Sequence, residues 1–271
     1  MNTFKLPQST AVFDYFPALN NNFIGLLSIP HSGETIPSEF LPFLSGDLAA
    51  YKEDVDYKVN ELVDIQALQA AGVAVLVAKV HRICIDLNRA EEASFMFWKQ
   101  NTQGRPLVIA QAPAELQREL LDKYYRPYFE MLKTNMQALE QKKAGLVSAV
   151  DLHSMPSRPT EYHMKQNPHQ STHRADFCLS DRKGLTCQKE YIDCFDHSLA
   201  QHYETIQNNP YVGGYITEFL NGFRSNNIQI EIKREVYMDE QTKELVKEKV
   251  DKLRPILTNA LIHGFKTFNE Q

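Results

Sequence analysis

Nine residues in the middle of the chain, Leu146-Val147-Ser148-Ala149-Val150-Asp151-Leu152-His153-Ser154, do most to restrict the fold. From 146 to 150 every residue except Ser148 is apolar, and Gly145 stands just before them, a run that suits a central strand covered on both faces. Such a strand belongs to a sheet flanked by helices, and open sheets of that kind take their ligands at the C-terminal ends of the strands. Asp151 and His153 stand at that end, and two residues apart on a strand they share a face. A carboxylate beside an imidazole is a common pairing at a metal, although purely structural networks gather the same residues.

The flanking sequence repeats the arrangement. Phe23-Ile24-Gly25-Leu26-Leu27-Ser28-Ile29 is an apolar run ended by Pro30, and it delivers His31 to a strand end followed by the turn Ser32-Gly33. His31 and Glu34 have a His-x-x-Glu spacing that can close on one ion, and a turn histidine satisfied by backbone is the plainer alternative. Residues 46–71 read as helical, with Asp54 and Asp56 near the start of an amphipathic run, where negative charge is also favoured by the helix dipole. Gly72 stops that helix, and 73–80 form a second buried strand, completing a βαβ unit.

Ile83-Cys84-Ile85 reads as a further short strand ending at Asp86-Leu87-Asn88-Arg89. There Asn88 and Arg89 can hold a substrate carboxylate through charge-assisted hydrogen bonds, the alternative being a surface pair of Asp86 with Arg89. Residues 91–113, with the single tryptophan Trp98, read as a loop or lid, and 114–143 as a long helix kinked at Pro127. Three histidines in 155–173, His163, His169 and His173, have no regular spacing and are assigned to the surface or a substrate loop, outside any metal site. Residues 174–184 read as a strand running into a turn, and 186–207 as a helix capped by Thr186. Gly213-Gly214 beside Tyr215 allows close approach of backbone to a ligand. In the strand 228–234, Glu231 lies on the face opposite Ile230 and Ile232, where burial is costly unless a metal or an arginine compensates it. Residues 239–268 complete the scaffold as an amphipathic helix bent or restarted at Pro255.

At 271 residues with 43% hydrophobic content the chain can bury one large core, so one domain over 23–271 is expected, with 1–22 as an irregular lead-in. A net charge of −5 with scattered basic residues gives no footprint for nucleic acid. Cys84, Cys178, Cys187 and Cys194 form no C-x-x-C pair and suit a reducing cytoplasm. No segment reaches the roughly 18 uninterrupted apolar residues of a membrane span, and no leader is recognisable, so a soluble, unprocessed protein is expected.

Taken together, Ser28-Ile29-Pro30-His31-Ser32-Gly33, Ile85-Asp86-Leu87-Asn88-Arg89, Asp151-Leu152-His153-Ser154, Gly213-Gly214-Tyr215-Ile216-Thr217 and Gln229-Ile230-Glu231-Ile232, followed by Tyr237-Met238-Asp239-Glu240, resemble the N-formylglutamate amidohydrolase family over nearly the whole chain. The resemblance implies a zinc-dependent α/β hydrolase related to zinc carboxypeptidases and aspartoacylase, with a mostly parallel, mixed central sheet flanked by helices. It implies that His31 and His153 bind zinc, with Asp56 as third ligand on the formylglutamate pattern or Glu34 on the aspartoacylase pattern. It implies further that Glu231 is the general base, that Asn88 and Arg89 clamp the substrate carboxylate, with Arg89 also counted in the catalytic set, and that Arg82, Tyr215 and Arg174 face the substrate. Similar members usually carry arginine and then histidine after Gly-Gly-x-Ile-Thr, where this chain has Glu218 and Phe219. The substrate's side-chain carboxylate is thereby left without its expected partner. The implied reaction is hydrolysis of an N-acyl amino acid; a carboxypeptidase-like peptidase and a silent metal-binding or small-molecule-binding protein are the alternatives.

Overall fold

The computed structural model describes residues 8–19, 22–93 and 96–269. Its frame is an eight-stranded sheet of β1 (Gln8–Ser9), β2 (Phe13–Phe16), β3 (Gly25–Ile29), β4 (Val73–Ala78), β5 (Val147–Met155), β6 (Phe177–Ser180), β7 (Thr205–Gln207) and β8 (Ser225–Lys233), in the order β1-β2-β4-β3-β5-β8-β6-β7. The four central strands β4, β3, β5 and β8 run parallel, while β2 and β6 flank them antiparallel. As expected, the molecule is an α/β protein with a mostly parallel, mixed sheet. The lead-in is not irregular, however: Phe13-Asp14-Tyr15-Phe16 pairs with Val75–Ala78 of β4, with Phe13 and Tyr15 buried. Its alternation is only four residues long, too short to stand out in sequence.

Helices cover both faces because each central strand is apolar on both. α3 (Ala114–Leu120), α4 (Arg126–Lys142) and α7 (Tyr215–Leu220) pack with Leu26, Leu76, Val147 and Ala149. α2 (Ile65–Ala71), α6 (Lys189–Ala200) and α8 (Lys247–Thr267) pack with Leu27, Val75, Val150 and Ile230 on the other. Period-two alternation therefore sends Val147, Ala149, Asp151 and His153 toward the α4 side, and the two polar residues emerge at the strand end where the apolar layer stops.

Several elements depart from the sequence reading. Residues 46–71 are not one helix but α1 (Leu48–Tyr51), a 3-10 turn at Val59–Leu62 and α2, broken by Lys58 in the left-handed region (φ 59°). Asp54 and Asp56 thus sit on an irregular segment and not at a helix start. Ile83-Cys84-Ile85 is fully buried but forms turns, with the Cys84 and Ile85 amides bonded back to the His81 carbonyl. The helix expected across 114–143 contains a π turn at Leu121–Tyr125, which lets Pro127 fall in the first turn of α4 where its missing N–H costs nothing. Thr186 caps no helix; its hydroxyl donates to the Asn227 carbonyl and α6 starts at Lys189. Pro255 lies inside α8 without ending it.

Candidate metal centre and active site

Three parallel strands converge on the site. His31 follows β3, His153 and Asp151 lie on β5, and Glu231 lies on β8, where it is the direct register partner of His153, as Gln229 is of Asp151. Parallel neighbours in register point their side chains to the same face, so the histidine and the glutamate stand one strand spacing apart, about 4.8 Å. Asp56 reaches in from the loop after α1 (Leu48–Tyr51).

His31, Asp56 and His153 form a buried cluster whose donor atoms all lie within 4.8 Å of one another. Asp56 Oδ2 is 3.1 Å from His153 Nδ1 and 3.6 Å from His31 Nδ1. Each ring is fixed from behind: His31 Nε2 meets Asp86 Oδ1 at 2.7 Å, and His153 Nε2 meets Asp151 Oδ2 at 2.7 Å. A carboxylate holding Nε2–H turns the Nδ1 lone pair toward the centre, the arrangement that orients imidazoles on metals. His31 Nδ1 is buried and has no hydrogen-bond partner. An orphaned donor atom next to a second imidazole and a carboxylate fits a zinc-type ion.

The supporting carboxylates are themselves satisfied. Asp86 accepts from Arg82 Nη2 at 3.0 Å, from the Trp98 indole at 3.0 Å and from the Asn88 amide at 3.0 Å. Asp151 accepts from Ser28 Oγ at 2.8 Å, which in turn bonds the Tyr128 hydroxyl of α4 at 3.0 Å. Asp56 accepts from Ser154 Oγ at 3.2 Å, and the buried Arg234 lies 3.7 Å away. Arg234 also donates to the Glu53 and Val55 carbonyls, tying the irregular Asp56 segment to the end of β8.

Electrostatics follow from burial and these pairs. Burial works to raise Asp56 and Asp86, but the histidines beside Asp56, and Arg82 with His31 beside Asp86, hold both well below the usual carboxylate range. Burial opposes charge on His153, yet Asp151 and Asp56 outweigh it and hold the ring well above its ordinary value. For Glu231 burial wins over the attraction of His153 and, with the charge of Asp56, raises it to about 8; its hydrogen bond comes from Gln229 Nε2 at 2.7 Å.

His31, Asp56, His153 and Glu231 line a cavity of about 690 Å³. The lining includes Arg82, stacked 4.9 Å over the Trp98 ring, Asn88 and Arg89, together with Tyr211, Gly213 and Gly214. Arg89 is 45% exposed at the mouth, its Nε 3.7 Å from Asp86. Asn88 accepts from the Ile216 amide, and a Cβ at Gly214 would fall 2.2 Å from Asn88 Nδ2, so glycine is required for this approach.

A model of the N-formylglutamate amidohydrolase family matches residues 25–238. The chain belongs to that family. In fold it is similar to N-formylglutamate amidohydrolase from Ralstonia eutropha, at 24% identity and TM-score 0.84, over 95% of this chain and 98% of that one. It is also similar to a gene product of Agrobacterium tumefaciens, at 15% identity and TM-score 0.68, over 92% and 94%. A metallo-carboxypeptidase from Pseudomonas aeruginosa matches at 11% identity and TM-score 0.40, over 92% and 59%. No curated protein matches the sequence.

The family motifs do not all reach the cavity. Glu34 is 44% exposed and turned to Lys58 at 3.8 Å, away from the histidines, because the turn held by Gly33 against the Lys79 and Val80 backbone points it outward. Tyr215 starts α7 and packs its ring 5.7 Å from Phe129, outside the cavity lining. Arg174 is buried behind Tyr211, donating to the Pro156 carbonyl. Glu218 pairs with Arg182 on the surface at 3.0 Å, and the partly buried Phe219 packs against the core. Asp86, Trp98, Tyr211 and Arg234 were not foreseen as site residues; for Asp86 the available signal was a charged residue between the apolar Ile85 and Leu87.

Proposed function

We propose that the protein is a metal-dependent amidohydrolase that cleaves the C–N bond of a small N-acyl amino acid of the N-formyl-L-glutamate type, giving formate and glutamate. The observation that carries this reading is the convergence of His31, Asp56 and His153, with Glu231 on the next strand at the same register. When bound by these three residues, zinc supplies Lewis acidity toward water and toward the amide carbonyl. Glu231, with an affinity for protons near neutrality, takes a proton from the attacking water and delivers it to the leaving nitrogen. Arg89 and Asn88, with Arg82 behind them, hold the free carboxylate and so fix the amide between the metal ligands and Glu231.

The cavity volume suits a small ligand. A carboxypeptidase-like role would need a groove open past residues 155–173, but Tyr162 and His163 of α5 (Glu161–Gln166) line the cavity on that side. A cytoplasmic location is supported by four free cysteines, and among the described residues no helix is long and apolar enough to cross a membrane. The test is zinc content together with formate release from a panel of N-formyl amino acids, other N-acyl amino acids and short peptides. Stoichiometric zinc with turnover of N-formyl amino acids supports the reading; turnover of peptides alone, or none at all in the zinc-loaded protein, removes it.

A further inference from the structure

The Tyr211 hydroxyl has an unusual set of neighbours. His163 Nε2 lies 3.2 Å from it and Arg174 Nη1 3.4 Å. The tautomer of His163 follows from its other nitrogen. Nδ1 faces the backbone N–H of Thr160 at 3.2 Å and the Thr160 hydroxyl at 2.7 Å, so Nδ1 must accept and the single ring proton sits on Nε2. Burial and the nearby Arg174 charge lower His163 to about 4, which keeps the ring neutral. His163 and Arg174 therefore both donate to the Tyr211 oxygen. A phenol oxygen that accepts twice must direct its own O–H elsewhere, and Tyr211 lines the cavity. The guanidinium behind it polarises the hydroxyl and strengthens it as a donor to an anion.

Tyr211 lines the same cavity as Arg82, Asn88 and Arg89. A dicarboxylic substrate held at Arg89 by one carboxylate needs a second partner within that cavity, and neither Glu218 nor Phe219 lines it. We propose that Tyr211, aimed by His163 and Arg174, reads the second carboxylate of an acidic N-acyl amino acid and is the residue that selects acidic over neutral side chains. This rests on the reading of the site as an amidohydrolase of N-acyl amino acids. His163, Thr160 and Arg174 are positioning residues in it, which gives the capping box of α5 a function beyond closing a short helix.

The experiment measures formate release, and separately calorimetric binding of glutarate and of butyrate, in zinc-loaded wild type, Tyr211→Phe and His163→Ala. A hydrogen bond to a charged group is worth enough that Tyr211→Phe should lower the N-formylglutamate to N-formylnorvaline ratio of kcat/KM roughly 10- to 100-fold, chiefly through KM, while N-formylnorvaline turnover is kept. Glutarate binding should weaken by a similar factor with butyrate unchanged. His163→Ala should lower the same ratio by a smaller factor, and His163→Gln, whose amide can donate to the phenol, should restore part of it. A wild type without preference for the acidic member, or a ratio unchanged in Tyr211→Phe, overturns the proposal. Equal losses on both substrates also overturn it, placing Tyr211 at the reacting amide or in the scaffold. A wild type that binds glutarate selectively through Tyr211 but hydrolyses nothing leaves selection by Tyr211 standing and removes the amidohydrolase reading instead.

Discussion

Glu231 sits in a strand whose neighbours Ile230 and Ile232 face the opposite, fully apolar layer, and it receives a hydrogen bond from Gln229 with no cation bonded to it among the described residues. A carboxylate so placed is costly as an anion, and its raised proton affinity is the consequence. Replacing it by the isosteric amide should leave the fold and the metal in place while turnover falls by roughly 10² to 10⁴, with little change in KM. Zinc content and formate release on one preparation measure both; a Glu231→Gln protein that loses its metal, or keeps near-normal turnover, would make the residue structural. The ligand set is separable in the same way. His31→Ala and His153→Ala should each abolish stoichiometric zinc, since each removes one of three donors, whereas Glu34→Gln should retain a full equivalent because that side chain faces Lys58. Zinc retained in both histidine variants, or lost in the Glu34 variant, reverses the assignment.

At the level of elements, what could be read in the sequence was what local alternation controls. The run 146–154 gives β5 and puts Asp151 and His153 on one face without any knowledge of the rest of the fold, and the strand ends at His31 and Glu231 follow by the same rule. What failed was set by distant partners. Asp54-Val55-Asp56 carries the composition of a helix start, but Arg234, nearly 180 residues away, takes the Glu53 and Val55 carbonyls that a helix would have used internally. Ile83-Cys84-Ile85 has strand composition, yet its amides bond back to His81, so its apolar character reflects burial and not extension. The opposite helical layer offers a test independent of the site. A Cβ on Gly264 of α8 would fall 2.3 Å from Cζ of the fully buried Phe195 on α6. Alanine gains about 1 kcal/mol of helix propensity, but overpacking costs typically 1 to 3 kcal/mol, and a ring face enclosed by α6 and α8 has little room to retreat. Gly264→Ala should therefore melt a few degrees lower with zinc content and turnover per folded molecule unchanged. A higher melting temperature would mean that the ring moves freely.

For the molecule as a whole, metal binding, proton binding and stability are one linked equilibrium. Without metal, His153 keeps its proton to well above the usual imidazole range because Asp151 and Asp56 face it. Zinc needs that nitrogen unprotonated, so binding must displace the proton. The sign follows: affinity rises with pH until the raised value of His153 is passed, and falls on acidification. Calorimetry in two buffers of different ionisation enthalpy should show net proton release near neutral pH, and the metal-free protein should gain thermal stability as zinc is added, by about 2.7 kcal/mol at a hundredfold excess over Kd. Binding without proton release would place the ion elsewhere than on His153.

The in-register pairing of β5 with β8 carries a further consequence, for redesign. The separation between His153 and Glu231 is fixed by a backbone ladder of nine paired residues, Val147 with Ser225 through Met155 with Lys233, and by no loop. The segments that shape the mouth, around Trp98, α5 and Tyr211, are inserted between strands and contribute none of the rungs. Chemistry and admission are therefore separate modules of this chain. On the proposed function, loops exchanged at the rim should alter which substrate enters, while the spacing of His153 and Glu231 is inherited unchanged from the sheet.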